Sequence, residues 1–580
     1  MCPRSHYCYY IITCEVLVEQ LSCFYFLKYY NVFSIILSQT LTQHKLSTTQ
    51  QLVTMVGGLA ISSLNLSAST CAIVTLISTV LIWWFWNALN WVWLRPKRIE
   101  KRLKEQGIQG NSYRPFIGDI RDMVKMIKEA KSKPMDPHSN DIAPRVLPYV
   151  VHTIAKYGKN SFMWLGPRPR VFVLDPEKFK EMATKVYDFQ KPDTSPLFKL
   201  LASGFANYDG DKWAKHRKIV SPAFNVEKLK ALVPIFCESC DELIRQLESA
   251  LSSSDGLCEL DLWPFVQNVS SDVLARAGFG SSYQEGKRVF QLQREMLQLT
   301  MTLFKFAFIP GYRFLPTRTN RRMKAIDNEI RTSLMGIINR RLKALEAGEP
   351  TNNDLLGILL ESNYRESEKS SGGGMSLREV VEEVKLFYLA GQEANAELLV
   401  WTLLLLSKHP DWQEKAREEV FQVFGNEKPD YERLGQLKIV SMILQESLRL
   451  YPPVVMFARY LRKDTKLGDL TIPAGVELVV PVSMLHQEKE YWGDDAGEFN
   501  PERFSEGVSK ATKGKLSYLP FGWGPRLCIG QNFGLLEAKV AVSMILQRFS
   551  LEFSPSYTHA PSFIITLQPE HGAHIILHKL

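Results

Sequence analysis

The spacing of apolar residues predicts a mainly α-helical chain with small peripheral β-sheets. Apolar positions recur about every 3.6 residues over much of 176–450, which is the period of an amphipathic helix. The longest such stretches are 225–250, 285–305 and 318–347. Alternation typical of strands is confined to short runs at 162–165, 170–174, 454–482 and 560–578. Nothing in this pattern divides 136–580, so we expect a single folded domain there.

The longest uncharged stretch lies near the N-terminus, between Leu46 and Leu94. Its last part, 71–94, is almost wholly apolar and carries five tryptophans toward its C-terminal end. A stretch of about 20 apolar residues spans a bilayer as a helix, and tryptophans concentrate at the membrane surface. A buried core helix is the alternative, but such helices are rarely followed by a basic block. We therefore predict a transmembrane helix at 71–94.

The segments on either side of this helix have different compositions. Basic residues dominate the start of 95–135, which we interpret as a basic linker. By the positive-inside rule this flank and everything after it face the cytosol. Residues 1–54 are rich in Cys, Tyr and Phe without a clear period. We interpret them as an atypical N-terminal extension, either a second weak membrane segment or a part absent from the working protein.

Charge and cysteine content exclude several classes of protein. The net charge of +9 over 580 residues includes no long Lys/Arg run, so we expect no nucleic-acid partner. Four of the nine cysteines lie within the first 23 residues, and the rest are sparse. This usage suits a reducing compartment rather than a disulfide framework. The pair Cys237 and Cys240 has no second pair at zinc-site spacing, so we interpret both as idle thiols.

The stretch 521–530, with the sequence FGWGPRLCIG, carries the chemistry. It is a Gly/Pro-rich turn that ends at Cys528, and an apolar helix of about twenty residues is expected to follow. A thiolate at the start of a helix is stabilised by free backbone N–H groups. Gly524 and Gly530 allow the backbone to approach a flat cofactor closely, and Arg526 supplies a cation for a carboxylate.

This stretch resembles the cytochrome P-450 pattern FxxGxRxCxG at every fixed position. The resemblance implies the P-450 fold, a haem b whose iron is bound by the thiolate of Cys528, and monooxygenase activity. It also implies that Phe521 packs on the thiolate and that Arg526 binds a haem propionate. A thiolate ligand donates electron density that favours O–O cleavage.

Three further motifs fit the same family. Glu446 and Arg449 form its Glu-x-x-Arg pair, and Arg503 belongs to its Pro-Glu-Arg-Phe segment; together they would form a buried structural lock. Trp213 and Arg217 resemble its WxxxR helix, and lie one turn apart so that both could reach one propionate.

The resemblance also places Arg459 at a position that commonly contacts a propionate. The sequence thus offers three arginines for the two haem propionates.

A capping box at 376–379 opens a long helix that we expect to run to about 407. Midway along it, Ala390, Gly391 and Glu393 fit the family pattern for the oxygen-binding side, with Glu393 as the acid that supplies protons. The pattern's threonine is missing, because Ala394 occupies its position. An alanine cannot order the water that brings protons to bound oxygen.

Several explanations of Ala394 stay open. Asn395 could order the water, a substrate hydroxyl could replace the threonine, or the enzyme could use an earlier oxygen species for less ordinary chemistry such as carbon–carbon cleavage. A tolerated substitution in a working hydroxylase is the simplest. A haem protein with O₂-independent chemistry, or one that binds ligands with little turnover, is the alternative function.

The region from about 90 to 580 resembles a plant branch of the family that includes secologanin synthase and triterpenoid and gibberellin oxidases. This implies a bulky terpenoid substrate and electrons from NADPH through a membrane-bound cytochrome reductase. It also implies a single-pass anchor in the endoplasmic reticulum, with the catalytic domain in the cytosol. The segments expected to line the substrate pocket contribute Phe205, Phe387, Ala390, Val454, Val455, Met456 and Ile564.

Overall fold

The computed structural model describes residues 68–133, 135–193, 196–251, 257–280, 283–303, 312–347, 354–369 and 373–580. The chain divides into two units, the first ending at Asn87 and the second running from Ala88 to Leu580. The predicted extension at 1–54 lies outside the described residues.

The described part of the first unit belongs to one helix, α1, Ala68–Leu89. Every side chain from Ala72 to Asn87 is exposed, although most are apolar. By length and composition this helix could cross a membrane. The exposure of its apolar side chains argues against the alternative of a buried core helix.

Helices make up most of the second unit, as predicted. The first twelve are α2 Arg95–Glu105, α3 Ile120–Ser132, α4 Ala143–Val146, α5 Pro148–Tyr157, α6 Pro176–Thr184, α7 Pro196–Leu201, α8 Gly210–Val220, α9 Val226–Leu251, α10 Trp263–Val273, α11 Tyr283–Thr302, α12 Arg318–Glu346 and α13 Leu355–Lys369. The remaining helices are α14 Leu377–Lys408, α15 Pro410–Phe424, α16 Tyr431–Leu434, α17 Ile439–Leu450, α18 Val482–Leu485, α19 Lys489–Trp492, α20 Val508–Ala511 and α21 Gln531–Leu546. The predicted stretches 225–250, 285–305 and 318–347 correspond to α9, α11 and α12.

The strands are short and form small sheets, which confirms the predicted fold class. They are β1 Gln109–Gly110, β2 Ser161–Leu165, β3 Arg168–Phe172, β4 Leu257–Asp261, β5 Phe457–Tyr460, β6 Thr465–Leu467, β7 Leu470–Ile472, β8 Glu477–Val480, β9 Phe549–Phe553, β10 Pro561–Phe563, β11 Leu567–Pro569 and β12 His574–Lys579. The largest sheet has the order β1-β2-β3-β8-β5, and a second has the order β4-β12-β9. Two hairpins, β6–β7 and β10–β11, are the other sheets of the described residues.

The long helix α14 lies at the centre of the main apolar core. It begins with the predicted capping box, in which Ser376 and Glu379 satisfy each other's backbone N–H groups. It packs against α10, α12, α17 and α21 and against β9. Most of its side chains are buried, polar ones included. The helix therefore brings a continuous row of side chains through the interior.

Residues 95–135 are folded rather than a linker, contrary to the sequence prediction. They form α2, β1 and α3, and Ile99 and Leu103 on α2 are buried in the core beside the five-stranded sheet. Glu100 accepts hydrogen bonds from Lys97 and Lys104, at 2.9 and 2.8 Å. The basic composition misled the prediction because the cations occupy one face of a helix whose other face is apolar.

Candidate active site

The loop that precedes α21 turns sharply at two glycines. Gly522 and Gly524 have φ angles of 72° and 75°, in the left-handed region that favours glycine. The N–H of Cys528 donates to the carbonyl oxygen of Phe521 at 2.9 Å and closes the turn. Gly530 is the residue directly before the first turn of α21. The loop therefore holds Cys528 at the N-terminus of a helix.

The surroundings of Cys528 can stabilise a thiolate. Burial has the larger effect and raises the pKa of the thiol, while the N–H groups of Gly530 and Gln531 and the nearby Arg217 guanidinium lower it. Donors at a helix start and a nearby cation are the groups that activate cysteines. Part of the side chain remains exposed, so a metal ion could reach the sulfur.

Cationic side chains gather beside this loop around Asp209. A nitrogen of the Arg526 guanidinium lies 2.6 Å from the Asp209 carboxylate, which also accepts the N–H of Lys191 at 3.0 Å. The Arg526 guanidinium stacks 4.5 Å above the ring of Trp213. Three of the predicted propionate residues therefore meet here, since Arg459 also acts electrostatically on this cluster.

These cations have too little negative charge to balance them. Burial, together with Arg526, lowers the pKa of Arg459 to about 10. Burial, with Arg459 and Arg526, lowers the pKa of Lys191 well below its ordinary value. The Nε of Arg526 is buried without a hydrogen-bond partner among the described residues. An unbalanced cluster of this kind fits the two propionates of a haem, because carboxylates would pair with the guanidinium groups.

Behind the loop, Glu446 and Arg449 form a fully buried ion pair on α17. Two guanidinium nitrogens of Arg449 each lie 2.7 Å from the Glu446 carboxylate. Arg503 approaches Glu446 at 3.7 Å, but it donates hydrogen bonds to Asp495, at 2.7 Å for the shortest, and to the carbonyl oxygen of Trp492 at 3.0 Å. The structure thus brings the three residues of the predicted lock together and adds Asp495, which no sequence motif indicated.

A histidine connects this lock to the cysteine loop. Burial lowers the pKa of His486 to about 3, so the ring is neutral. Its Nε2 accepts the N–H of Leu519 at 2.7 Å, and its Nδ1 therefore donates to the carbonyl oxygen of Arg449 at 3.1 Å. Leu519 in turn accepts the N–H of Gly522 at 3.0 Å. The position of the loop thus depends on the lock.

The oxygen-side stretch lies where α14 is accessible. Ala390 is exposed and Ala394 is partly exposed, in a helix that is otherwise mostly buried. The two residues are four apart and share one face. A Cβ on Gly391 would lie 3.1 Å from the Leu274 side chain, so the glycine allows close packing there. Small side chains thus leave open space beside the centre of α14.

Two buried carboxyl groups follow on the same helix. Glu393 is 4% exposed and accepts a hydrogen bond from Gln568 on β11 at 2.6 Å. Glu397 is completely buried. Burial raises the pKa of both groups, and for Glu397 the neighbouring Glu393 raises it further. The sequence motif indicated Glu393 but not Glu397. Glu397 matches no motif, and only its spacing of four residues from Glu393 could have pointed to it.

Asn395 is directed toward the thiolate helix. Its Nδ2 donates to Glu537 on α21 at 2.5 Å. A Cβ on Gly534 would lie 2.6 Å from the Asn395 Oδ1, so α21 meets the amide through a glycine. One N–H of the amide thus ties α14 to α21, and the hypothesis that Asn395 orders a water for proton delivery stays a prediction.

The predicted pocket residues divide into two groups. The rings of Phe205 and Phe387 are 6.3 Å apart, and Phe224 joins them 5.9 Å from Phe387. Ile564 lies between the two strands of the β10–β11 hairpin, and the hairpin's Leu567 N–H donates to the carbonyl oxygen of Pro453 at 3.0 Å. The hairpin therefore lies beside 454–456.

Within 454–456 the exposure differs from one residue to the next. Val454 is 40% exposed and Met456 is partly exposed, whereas Val455 is wholly buried in the main core. Val455 thus has no open surface and does not line the pocket as expected. The alternation explains the error, because neighbouring residues of extended chain point to opposite sides.

A buried carboxylate that the sequence did not indicate fixes one wall of this site. Glu383 on α14 accepts the N–H of Phe205 at 2.9 Å and lies 2.7 Å from Nδ1 of His216 on α8. Gly204 is required there, since a Cβ would lie 2.8 Å from Glu383. The helix that carries Trp213 and the Phe205 wall is thus held to the central helix.

A cysteine at a helix start, unbalanced cations beside it and an open stretch of a central helix define a haem-thiolate protein. The chain belongs to the cytochrome P450 family: the family's sequence model, described as "Cytochrome P450", matches residues 145–575. It is a plant-type P450 monooxygenase by its relatives, which are similar over most of their length.

Three curated relatives illustrate the match. Cytochrome P450 72A15 of Arabidopsis thaliana is 53% identical over 507 residues, which cover 87% of this chain and 98% of that protein. Cytochrome P450 CYP72A219 of Panax ginseng is 54% identical, over 89% of this chain and 99% of its own length. The 11-oxo-beta-amyrin 30-oxidase of Glycyrrhiza uralensis is 52% identical, over 88% of this chain and 98% of its own length.

Proposed function

We propose that this P450 oxidises a bulky apolar terpenoid, of the triterpenoid, iridoid or gibberellin type, using O₂ and electrons that a cytochrome reductase passes from NADPH. We further propose a single-pass anchor in the endoplasmic reticulum membrane at 71–94, with the chain from residue 95 onward in the cytosol. The exposed apolar helix α1 and the basic α2 that follows support this orientation.

The observation that carries the proposal is the arrangement around Cys528. When bound, the haem supplies the iron at which O₂ is activated, and the thiolate favours O–O cleavage. Arg217, Arg459, Arg526 and Trp213 would hold the propionates, with Lys191 as an additional cation. Phe521 closes the turn that aims the sulfur. These roles rest on the cation cluster and on the donors around the thiol.

The substrate class rests on the walls of the site and on one relative. The rings of Phe205, Phe224 and Phe387 form an apolar cluster, and Ile564 on the β10–β11 hairpin is a further apolar side chain of the expected pocket. Such walls suit a ring system with few polar groups. One relative is named for a triterpenoid substrate, the 11-oxo-beta-amyrin 30-oxidase.

A reconstitution with reductase tests the function. NADPH consumption and product formation would be measured across a panel of triterpenoids, iridoids and gibberellins, with and without O₂. We expect an oxygenated product that requires both NADPH and O₂. Product without O₂ would favour an isomerase or dehydratase. Tight binding with no product from any member of the panel would favour a ligand-binding haem protein, the second candidate that Ala394 suggests.

A further inference from the structure

Glu393 and Glu397 form a pair of acids on one face of α14. They are four residues apart, so their side chains are neighbours on the helix surface. Both are buried, at 4% and 0% exposure, in a helix that passes through the core. The established pattern of the family accounts for Glu393 but gives no role to Glu397.

The groups around this pair come from two neighbouring elements. On the β10–β11 hairpin, Gln568 donates to Glu393 at 2.6 Å. Thr566, the Leu567 N–H and Gln568 also face Glu397 and lower its pKa, against the larger effect of burial, which raises it. On α11, Arg294 acts electrostatically on Glu393. The cation thus favours a negative charge on Glu393, and no comparable cation acts on Glu397 among the described residues.

The environment of Glu397 favours a neutral carboxyl group. Neither of its oxygens has a hydrogen-bond partner of good geometry among the described residues. A buried carboxylate without a cation or strong donors is costly, so such a group keeps its proton. A negative charge on Glu393 would add to that cost. Glu397 is therefore a proton donor held one helical turn beyond the acid of the oxygen side.

We propose that Glu397 is a positioning and proton-reserve residue, which returns a proton to Glu393 and so compensates for the hydroxyl that Ala394 lacks. This deepens the proposed monooxygenase function and rests on it. The O–H bond of Glu393 breaks and its proton passes to a water molecule in the open space beside Ala390. The O–H bond of Glu397 then breaks as an O–H bond forms on Glu393. Glu397 regains its proton from solvent, so the net result is one proton moved inward and no electron.

Infrared spectroscopy of the resting enzyme tests the pair without substrate or reductase. We expect a protonated-carboxyl band at neutral pH that Glu397→Gln removes. Glu393→Gln should lower the pH at which this band is lost, because it removes the neighbouring anion. An ionised Glu397 at neutral pH, or a titration that Glu393→Gln leaves unmoved, would overturn the proposal. Because this arm needs no turnover, it stands even if the substrate class is wrong.

Turnover supplies the second arm. With reductase and a turned-over substrate, E397Q should lower the product formed per NADPH by at least about tenfold, less than the roughly 10²–10⁴-fold typical of a direct general acid. The pH dependence of this ratio should change as well. Adding Ala394→Thr to Glu397→Gln should restore the ratio. A normal ratio in E397Q, or a double variant that stays low, would contradict the proposal.

Glu537→Gln is the matched control. Glu537 is also a completely buried carboxyl group with a raised pKa, but it faces Asn395 and Ser270 on the other side of α14. Its substitution should remove its own infrared band and leave the pH dependence of the ratio unchanged. If E537Q changed that dependence as E397Q does, the effect would come from burial in general and the proposal would fail.

Discussion

The two sides of the haem site differ in how completely their polar groups are paired. On the cysteine side, Glu446, Arg449 and His486 satisfy one another and nearby carbonyl groups, and the loop to Cys528 is fixed by backbone bonds. On the oxygen side, Glu397 has no good hydrogen-bond partner among the described residues. Paired groups hold a shape, whereas buried unpaired acids are available to exchange protons. The cysteine side is therefore the rigid part, and the oxygen side is where this chain's own chemistry lies.

The largest expected effect is on the rigid side. Arg449→Ala leaves the Glu446 carboxylate buried and unpaired, which should lower the free energy of unfolding by about 3–5 kcal/mol and reduce haem content. Urea unfolding and the haem-to-protein ratio measure both. Arg462→Ala is the control, because the Arg462–Asp193 pair is half exposed and should contribute about 0–1 kcal/mol. An equal loss of stability in the two variants would mean that the buried Glu446–Arg449 pair contributes no more than an exposed ion pair.

The next effect isolates the oxygen side. Glu393→Gln removes the acid but keeps the side-chain shape, so the rate of product formation should fall about 10²-fold, the lower end for loss of a general acid. The haem content and the spectrum of the reduced carbon monoxide complex should stay the same. If the spectrum changed together with the rate, Glu393 would also affect the cysteine side, and the two sides of the haem site would not act independently.

A pH-dependent effect follows from Glu537. Burial raises its pKa to about 8, so the folded protein holds a proton that the unfolded chain has released above the ordinary value of 4.5. Stability should therefore fall as pH rises between these values, by on the order of a few kcal/mol. Urea unfolding of Glu537→Gln should show a shallower fall over this window. If the stability of the wild type and that of the variant changed equally with pH over this window, the assignment would be wrong.

The smallest effect concerns Ala394 itself. Ala394→Thr alone should change the product formed per NADPH by less than about twofold, because Glu397 already supplies the proton. A large gain would mean that the missing hydroxyl limits the natural enzyme. The measurement needs only the reductase, NADPH and a turned-over substrate.

Short-range patterns predicted much of this molecule. Glu446 and Arg449 are three apart, the capping box spans four residues, and the cysteine loop is one continuous stretch, so each could be recognised from the sequence. The central helix and the hairpin β2–β3 followed from periodicity for the same reason. The mainly helical fold and the family were confirmed.

What escaped prediction depends on contacts between distant segments. Gln568 meets Glu393 from 175 residues away, and Glu383 meets His216 from 167 residues away. No local pattern marks such partners. Residues 95–135 were misjudged because composition shows charge but not which face of a helix is buried. The hydrogen bond from Asn395 to Glu537 spans 142 residues and likewise has no local signal.

The central claim is that Cys528 binds the haem iron as a thiolate. The absorption spectrum of the reduced carbon monoxide complex tests it most directly, on the full-length protein and on Cys528→Ser, with Cys258→Ser as the control. Cys258 lies on β4, in the sheet β4-β12-β9. We predict the band for which the family is named in the wild type and in C258S, and its complete loss in C528S. The same band in C528S would contradict the account.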